Sequence, residues 1–459
     1  MTRNGEMMPP VTIDQNEFYA ALQQLKHVAD LKSSLPALSH ALVEGSEDEV
    51  LVTTTDFACM LSVLLPGSGE GSYLLPVKQT LALVEPETKP KKGKKGEKAS
   101  TAEITIYNEP EDAAARAEEH AKRLAEHKEK LAAYREAKAA ADRLGSSYVQ
   151  GFGSGPPFAP SLPSLKAKIT TPELKGAVLG RDVDDFPARP KISWSTTREG
   201  DIAKLIDTLG WIMSAVSQDE GRPYLNGVFF VGNGEDFSGS GFGLVSTDGH
   251  RLHAAPLEYD GDGFLLPLRA AEHLMRLMKL AKKGTVAISV GTTTTVDNKG
   301  EKTEHPWVRF DLTPWSLVCK AVDARFPPYE KVIPRKDPLG ASIVMQAPSA
   351  RLAMAVKRVQ KTIGESSASM LMALSPSHGT ATFSGENIDV ESNVAVEIDV
   401  EFEAAHVTGD FSAGFNARYM LEAAEGLGES MTLQFHEPTD ACRIDGDNGR
   451  LAITMPMRL

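Results

Sequence analysis

FLLPLRAAEHLMRLM, residues 264–278, is an apolar run, a proline and then a stretch with helical spacing of its apolar residues. A proline at a helix start costs nothing, because its missing N–H would be unpaired there. YLLPVKQTLALVE (73–85) has the same build, and GFNARYMLEAAEGL (414–427) repeats it more faintly, with Asn416 as a capping residue in place of Pro76 and Pro267. A base follows two residues on in each copy: Lys78, Arg269 and Arg418. Two further pairs of landmarks keep step. LVTTTDF (51–57) and LVSTDGH (244–250) lie 21 and 20 residues before Pro76 and Pro267, and DDFP (184–187) matches ARFP (324–327).

The spacing between landmarks shows where one copy is interrupted. Pro76 to Pro187 spans 111 residues, whereas Pro267 to Pro327 spans 60. The excess falls on one unusual segment. Residues 111–143 are Ala, Glu, Lys and Arg with eight acids and eight bases, a strongly helix-favouring composition with only a thin apolar stripe (Leu124, Leu131, Tyr134). KPKKGKKGEK (89–98) precedes it and the Gly/Ser/Pro-rich stretch 145–164 follows. An insertion at about 88–168 is expected, either a solvated helical excursion or a partner-binding arm.

Elsewhere, short β-branched runs separated by turns read as antiparallel strands: YLNGVFFVG, TVAISVGTTTTV, PWVRFDLT, MTLQF and LAITM among them. Each copy also opens with a helix, at 16–30, 201–217 and 349–363. The fold class expected is α+β, three repeats of two helices on antiparallel sheet, over 1–190, 191–332 and 333–459.

The bulk numbers narrow the function. A chain of 459 residues with 41% hydrophobic and 24% charged residues suits a soluble protein of two or three domains. No run is long and apolar enough for a membrane span, and MTRNGEMMPPVTID lacks a signal-peptide core. Cys59, Cys319 and Cys442 lie far apart without a CxxC pair, which fits a reducing cytoplasm and argues against disulfides or zinc. The net charge of −13 argues against nucleic acid only if the bases are scattered. They are not. SARLAMAVKRVQKTI (349–363) sets Leu352, Val356, Val359 and Ile363 on one stripe and Arg351, Lys357, Arg358 and Lys361 opposite, with no acid. Helix 269–283 turns Leu274, Leu277, Met278 and Ala281 inward and Arg269, Arg276, Lys279 and Lys283 outward, with one acid, Glu272. Such faces are either simply solvated or suited to sequence-independent contact with backbone phosphates, and in a chain of net −13 two nearly acid-free faces favour the second.

STDGHRL (246–252) gathers Asp248, His250 and Arg251, but side chains this close in sequence rarely build a nucleophile–base chain, and no Ser or Cys motif accompanies them. His250 and His253 lack a third metal ligand, and GSGFG (239–243) is followed by a strand rather than a helix, so it reads as a hairpin turn. No enzyme, metal or cofactor is expected. The terminal LAITMPMRL (451–459) reads either as a last strand with a frayed end or as a methionine-bearing lip for docking peptides.

RPYLNGVFF, STDGHRL, ARFPPYEKVIP, FNARYMLEAA and the terminal MPMRL, in this order, resemble the bacterial sliding clamp, the beta subunit of DNA polymerase III. The resemblance spans nearly all of the chain outside about 88–168. It implies a head-to-tail homodimeric ring around duplex DNA, and a pocket between the second and third domains for short peptides of polymerases and the clamp loader. Carried over, the pocket comprises Leu225, Thr247, Gly249, His250, Arg251, Leu252, Pro327, Lys331, Val332, Asn416, Tyr419, Ile453, Thr454, Met455, Pro456 and Met457. His250 and Arg251 would offer donors at its rim. Thr454 stands where the family has an aliphatic residue, and Lys331 where it commonly has Arg, so peptide preference is expected to differ. The DNA-facing set is Lys32, Lys78, Arg222, Tyr224 and Arg269, and the dimer interface Val178 and Ile363. The alternative within the family is an accessory clamp serving a specialised polymerase or a mobile element.

Overall fold

Six times among the described residues a strand runs without a break into a helix, and these junctions carry the architecture. The computed structural model describes residues 9–86, 103–108, a few positions between 122 and 133, 165–171, 175–232, 242–296, 301–335, 343–364, 369–387, 391–403 and 410–458. The first junction of each copy is Val11–Asp14 into α1 (Gln15–Leu25), Ser193–Asp201 into α3 (Ile202–Ile212), and Ile343–Pro348 into α5 (Ser349–Ile363). The second is Ser72–Pro76 into α2 (Val77–Leu83), Phe264–Pro267 into α4 (Leu268–Ala281), and Phe411–Asn416 into α6 (Ala417–Ala424). Short polar caps or prolines make the switch. Asp14 and Asp201 accept from the backbone N–H groups of Glu17 and Lys204, and Asn416 from those of Arg418 and Tyr419. Pro76, Pro267 and Pro348 cap the other three. α1 and α3 end earlier than their periodicity suggests, α3 continuing as a 3-10 turn, Met213–Ala215.

Two compact units result: Met1–Pro190 with Thr313–Leu317, and Lys191–Leu312 with Val318–Leu459. In the first, strands Ser72–Pro76, His40–Gly45, Glu49–Thr55, Cys59–Ser68, Val11–Asp14, Glu103–Asn108, Leu165–Thr170 and Lys175–Gly180 pair antiparallel in that order. Glu103–Asn108 and the first part of Leu165–Thr170 fall inside the boundaries drawn for the insertion, yet both are sheet strands, paired from Thr105↔Thr170 to Asn108↔Ala167. The basic loop 89–98 and most of the Ala/Glu/Lys/Arg segment and its Gly/Ser/Pro return lie outside the described residues, as does most of GSGFG.

The second unit holds a nine-stranded sheet that runs from Phe264–Pro267 through Gly227–Phe230, Leu244–Thr247 and Arg251–Ala255 into Leu451–Thr454, Cys442–Gly446, Ser430–Phe435, Ile343–Pro348 and Glu401–Phe402. The strand that ends the chain therefore pairs with the strand that follows STDG, so both boundaries of the candidate site sit in one sheet. Ser392–Asp399, Thr380–Asn387, Ser369–Ser375 and Phe411–Asn416 form a four-stranded sheet, and Ser193–Asp201, Thr285–Val296 and Lys302–Leu312 pair beside one another.

On α5 the observed faces are those the spacing gives: Leu352, Val356, Val359 and Ile363 are buried, and Arg351, Lys357, Arg358 and Lys361 exposed. On α4, Leu274, Leu277 and Met278 are buried, but Ala281 is exposed, because the helix stops there and Lys282 turns to φ 65°. Phe186 and Phe326, the aromatic residues of the repeated Phe-Pro landmarks, are both buried.

Candidate functional site

The turn after Leu244–Thr247 is built by two side chains. Asp248 Oδ1 accepts from the backbone N–H groups of His250 (2.8 Å) and Arg251 (3.0 Å), and Thr247 Oγ1 accepts from Gly249 N (3.1 Å) while donating to the Arg251 carbonyl (2.6 Å). Gly249 has φ +91°, a left-handed conformation that glycine adopts without strain. The first unit holds the same device at its own copy of the motif. Asp56 Oδ1 accepts from Ala58 N (3.0 Å) and Cys59 N (2.6 Å), and Thr55 Oγ1 accepts from Phe57 N (3.1 Å) and donates to the Cys59 carbonyl (2.8 Å). There the left-handed position is Phe57, at φ +71°.

Strand alternation divides the predicted pocket residues. Leu252 and Ile453 are register partners, so they share a face, and they belong to a buried cluster with Phe229, Val245, Phe326 and Tyr329. Phe326 stacks on Phe229 at 4.9 Å. Above this floor the exposed apolar side chains are Val332 (60%), Met455 (44%) and Met457 (37%). Val332 closes the 3-10 turn Tyr329–Lys331, whose Tyr329 is in the floor, and Lys331 is exposed beside it. Two backbone bonds hold the tail: Met455 N donates to the His250 carbonyl and Met457 N to the Gly414 carbonyl, each 2.9 Å. Pro327 and Pro456 are half-buried, and Leu225 is buried in the turn Pro223–Leu225.

Arg251 and Thr454 are the next register pair and lie on the opposite face. Arg251 therefore points away from Leu252 and Ile453. It is 5% exposed and committed within the chain: Nε to Asp248 Oδ2 (3.1 Å), Nη1 to Glu422 Oε2, Nη2 to the Ser214 carbonyl, with its plane 4.2 Å from the Tyr419 ring centroid. Thr454 is likewise buried, with Oγ1 lacking a hydrogen-bond partner, so its hydroxyl faces the interior and not a pocket wall. His250 stays exposed. Asn416 caps α6, which carries Tyr419, and burial and the Asp248 charge push the Tyr419 phenol up.

Beneath lies His253, fully buried, stacked on Trp211 at 4.2 Å and 6°. Burial, then the Arg251 charge, hold its pKa down to about 3. Trp211 Nε1 donates to the Glu422 carbonyl (2.9 Å), and Arg450 lies over the same indole at 5.4 Å while pairing with Asp207. Glu422, Trp211, Ser214 and Arg450 went unnamed in the sequence reading. Only Glu422 left a signal, its four-residue spacing from Arg418, and the two do pair (2.7 Å). Among the described residues no group of three or more His, Cys, Asp or Glu is placed to hold a metal.

Of the basic set, Lys32 and Lys78 are exposed in the first unit and Arg269 and Tyr224 in the second. Arg222 pairs with Asp219 (2.8 Å), and a Cβ on Gly249 would lie 3.2 Å from its Nη1, so it sits over the turn 246–252. The interface candidates are Ile363 and Val178. Ile363 is wholly buried at the end of α5, and Val178 points inward from the strand Lys175–Gly180, whose Leu179 is 56% exposed. The outward residue of that strand is Leu179.

The family model for the central domain of the DNA polymerase III beta subunit matches residues 201–328. The beta sliding clamp of Caulobacter vibrioides is 28% identical over 283 residues, covering 60% of this chain and 69% of the relative, and that of Pseudomonas aeruginosa is 26% identical over 266 residues, covering 56% and 64%. Over these spans the chain is similar to beta sliding clamps. Solved clamp structures share its fold: that of Caulobacter crescentus with a TM-score of 0.71 at 21% identity, covering 98% of this chain and 100% of the other, and that of Bartonella birtlesii bound to griselimycin with 0.70 at 20%, covering 99% and 100%. The clamp fold thus extends over almost the whole chain, although sequence similarity is confined to about 60% of it. No described helix is long and apolar enough to cross a membrane.

Proposed function

We propose that two copies of this chain close head to tail into a ring around duplex DNA and tether polymerase and other replication or repair proteins to it, as a non-catalytic cytoplasmic processivity factor. Each chain contributes three clamp domains, 1–190, 191–332 and 333–459. The observation that carries the reading is the exposed lip of Val332, Met455 and Met457 over the buried Leu252–Ile453–Tyr329 floor, beside the turn 246–252. Flexible thioethers over an apolar floor suit a short peptide presenting an apolar side chain. The bound peptide would meet Leu225, Thr247, Gly249, His250, Pro327, Lys331, Asn416, Tyr419 and Pro456 around that lip.

DNA contact is supported by the acid-free outer face of α5 and by Lys32, Lys78, Arg222, Tyr224 and Arg269. Head-to-tail closure is supported by two outer strands, Lys175–Gly180 in the first unit and Ser392–Asp399 in the second, each paired on one side only among the described residues. The relatives are beta sliding clamps throughout, which disfavours a separate accessory role.

Loading onto a nicked plasmid with a bacterial clamp loader tests the reading. A particle of twice 49.5 kDa that stays on the circle through gel filtration and leaves once the plasmid is linearised is the expected result. A monomer, or loss from circle and linear DNA alike, would sink it. Fluorescein-labelled griselimycin, the ligand of the Bartonella birtlesii clamp, probes the pocket separately.

A further inference from the structure

The geometry points to Glu422 as the positioning residue of the docking site: it holds Arg251, and through Arg251 the turn 246–252 and the Tyr419 ring, without itself meeting the docked peptide. The inference rests on the docking function proposed above. The Arg251 guanidinium joins three elements, since its three nitrogens reach Asp248 in the turn, Glu422 on α6 and the Ser214 carbonyl just after α3. Its face covers Tyr419 at 4.2 Å. A charge this buried needs a counter-charge, and only a planar fork can satisfy acceptors in three directions. Asp248 cannot serve alone, because its Oδ1 is already occupied by the backbone of its own turn.

The backbone of Glu422 is pinned. Its carbonyl accepts from Trp211 Nε1 (2.9 Å), and its second carboxylate oxygen, Oε1, accepts from Arg418 Nε (2.7 Å). The His250 carbonyl that anchors Met455 belongs to the turn that Arg251 braces. Removing the Glu422 charge leaves Arg251 with one carboxylate, frees the ring beneath it, and loosens the anchor of the methionine lip. The Arg418 pair, by contrast, is outside this chain of contacts: Arg418 is 62% exposed and solvent can replace Glu422 there.

Fluorescence polarisation with fluorescein-griselimycin, with thermal unfolding read in parallel, tests the role. Glu422→Gln is expected to weaken binding about tenfold, Glu422→Asp to restore most of it, and Arg418→Ala to bind as the parent does. Should Glu422→Gln fail to fold, Arg251→Lys, which keeps the charge without the fork, is expected to show the same loss. A lowered melting temperature with parental affinity in Glu422→Gln would make the residue structural only and overturn the inference. Parental affinity in Arg251→Lys, or an equal loss in Arg418→Ala, would overturn it as well. If the parent chain does not bind griselimycin, the docking function itself fails and takes this inference with it, a result distinct from failure of the variants alone.

Discussion

His253 lies flat against Trp211 with no water-facing edge, and its charged form has nowhere to go. Its Nδ1 meets the Ser214 hydroxyl at 3.2 Å, its Nε2 is unpartnered, and the nearest charge is the cationic Arg251. Burial and that charge lower its pKa from 6.5 to about 3. The sign follows directly. An unfolded His253 takes up a proton below about pH 6.5 while the folded one refuses it, so the stabilisation is complete above that value. It is lost as pH falls through the window toward 3, at a limiting rate of about 1.4 kcal/mol per pH unit. His253→Phe, which keeps the ring stacked on Trp211, is expected to flatten the fall in melting temperature between pH 6.5 and 4. An unchanged slope would mean that other groups carry the acid response. Phe57 poses a different residue-scale contrast. The two copies of the Thr-Asp turn share four hydrogen bonds, yet one uses glycine at the left-handed position and the other an exposed phenylalanine, a costlier choice by roughly 1 kcal/mol or more.

At the scale of elements, helix starts and faces were legible in the sequence because a cap, a proline and a 3.6-residue period are local signals. The inward and outward faces of α5 came from spacing alone. What the spacing did not supply was which face of a strand a residue takes once the strand is shared between repeats. Arg251 and Leu252 are adjacent, so a period of two separates them, and a family likeness that lists both as pocket residues hides that separation. Ile363 carries two readings: the spacing of α5 sets it on the apolar stripe, and the family likeness offers it to the interface; it is buried, and Gly385 leaves the room, a Cβ there meeting its Cγ2 at 2.5 Å. The boundaries of the insertion were drawn by composition, which does not register the strands that flank it. Those strands make a test. Asn108 pairs with no residue beyond Ala167, so the two chain ends leave the sheet side by side. Replacing residues 109–164 with a short Asn-Gly turn is expected to leave the melting temperature and the dimeric mass unchanged. A monomeric or unfolded product would show that the segment is part of the clamp body.

At the scale of the whole molecule, a net charge of −13 and the proposed contact with DNA are reconciled only if the bases are sorted onto particular surfaces. α5 is the clearest instance, with four exposed bases and no acid along fifteen residues. Arg351 is partly balanced by Asp399 at 3.7 Å, which leaves Lys357, Arg358 and Lys361 as the strongest phosphate partners. Phosphate contact releases condensed counterions, so each contact steepens the dependence of affinity on salt by about 0.9 in the log–log slope. Changing these three residues to Gln should make the slope for duplex binding shallower by roughly 2–3 per chain, equally for any DNA sequence. The measurement is affinity for a duplex across about 50–200 mM salt. A solvated face with no DNA contact predicts the parental slope, with at most a small change in stability. The acidic remainder of the surface gives the same experiment a second reading: it repels DNA from elsewhere on the molecule, so the neutralised variant should have no alternative surface on which to recover the lost affinity.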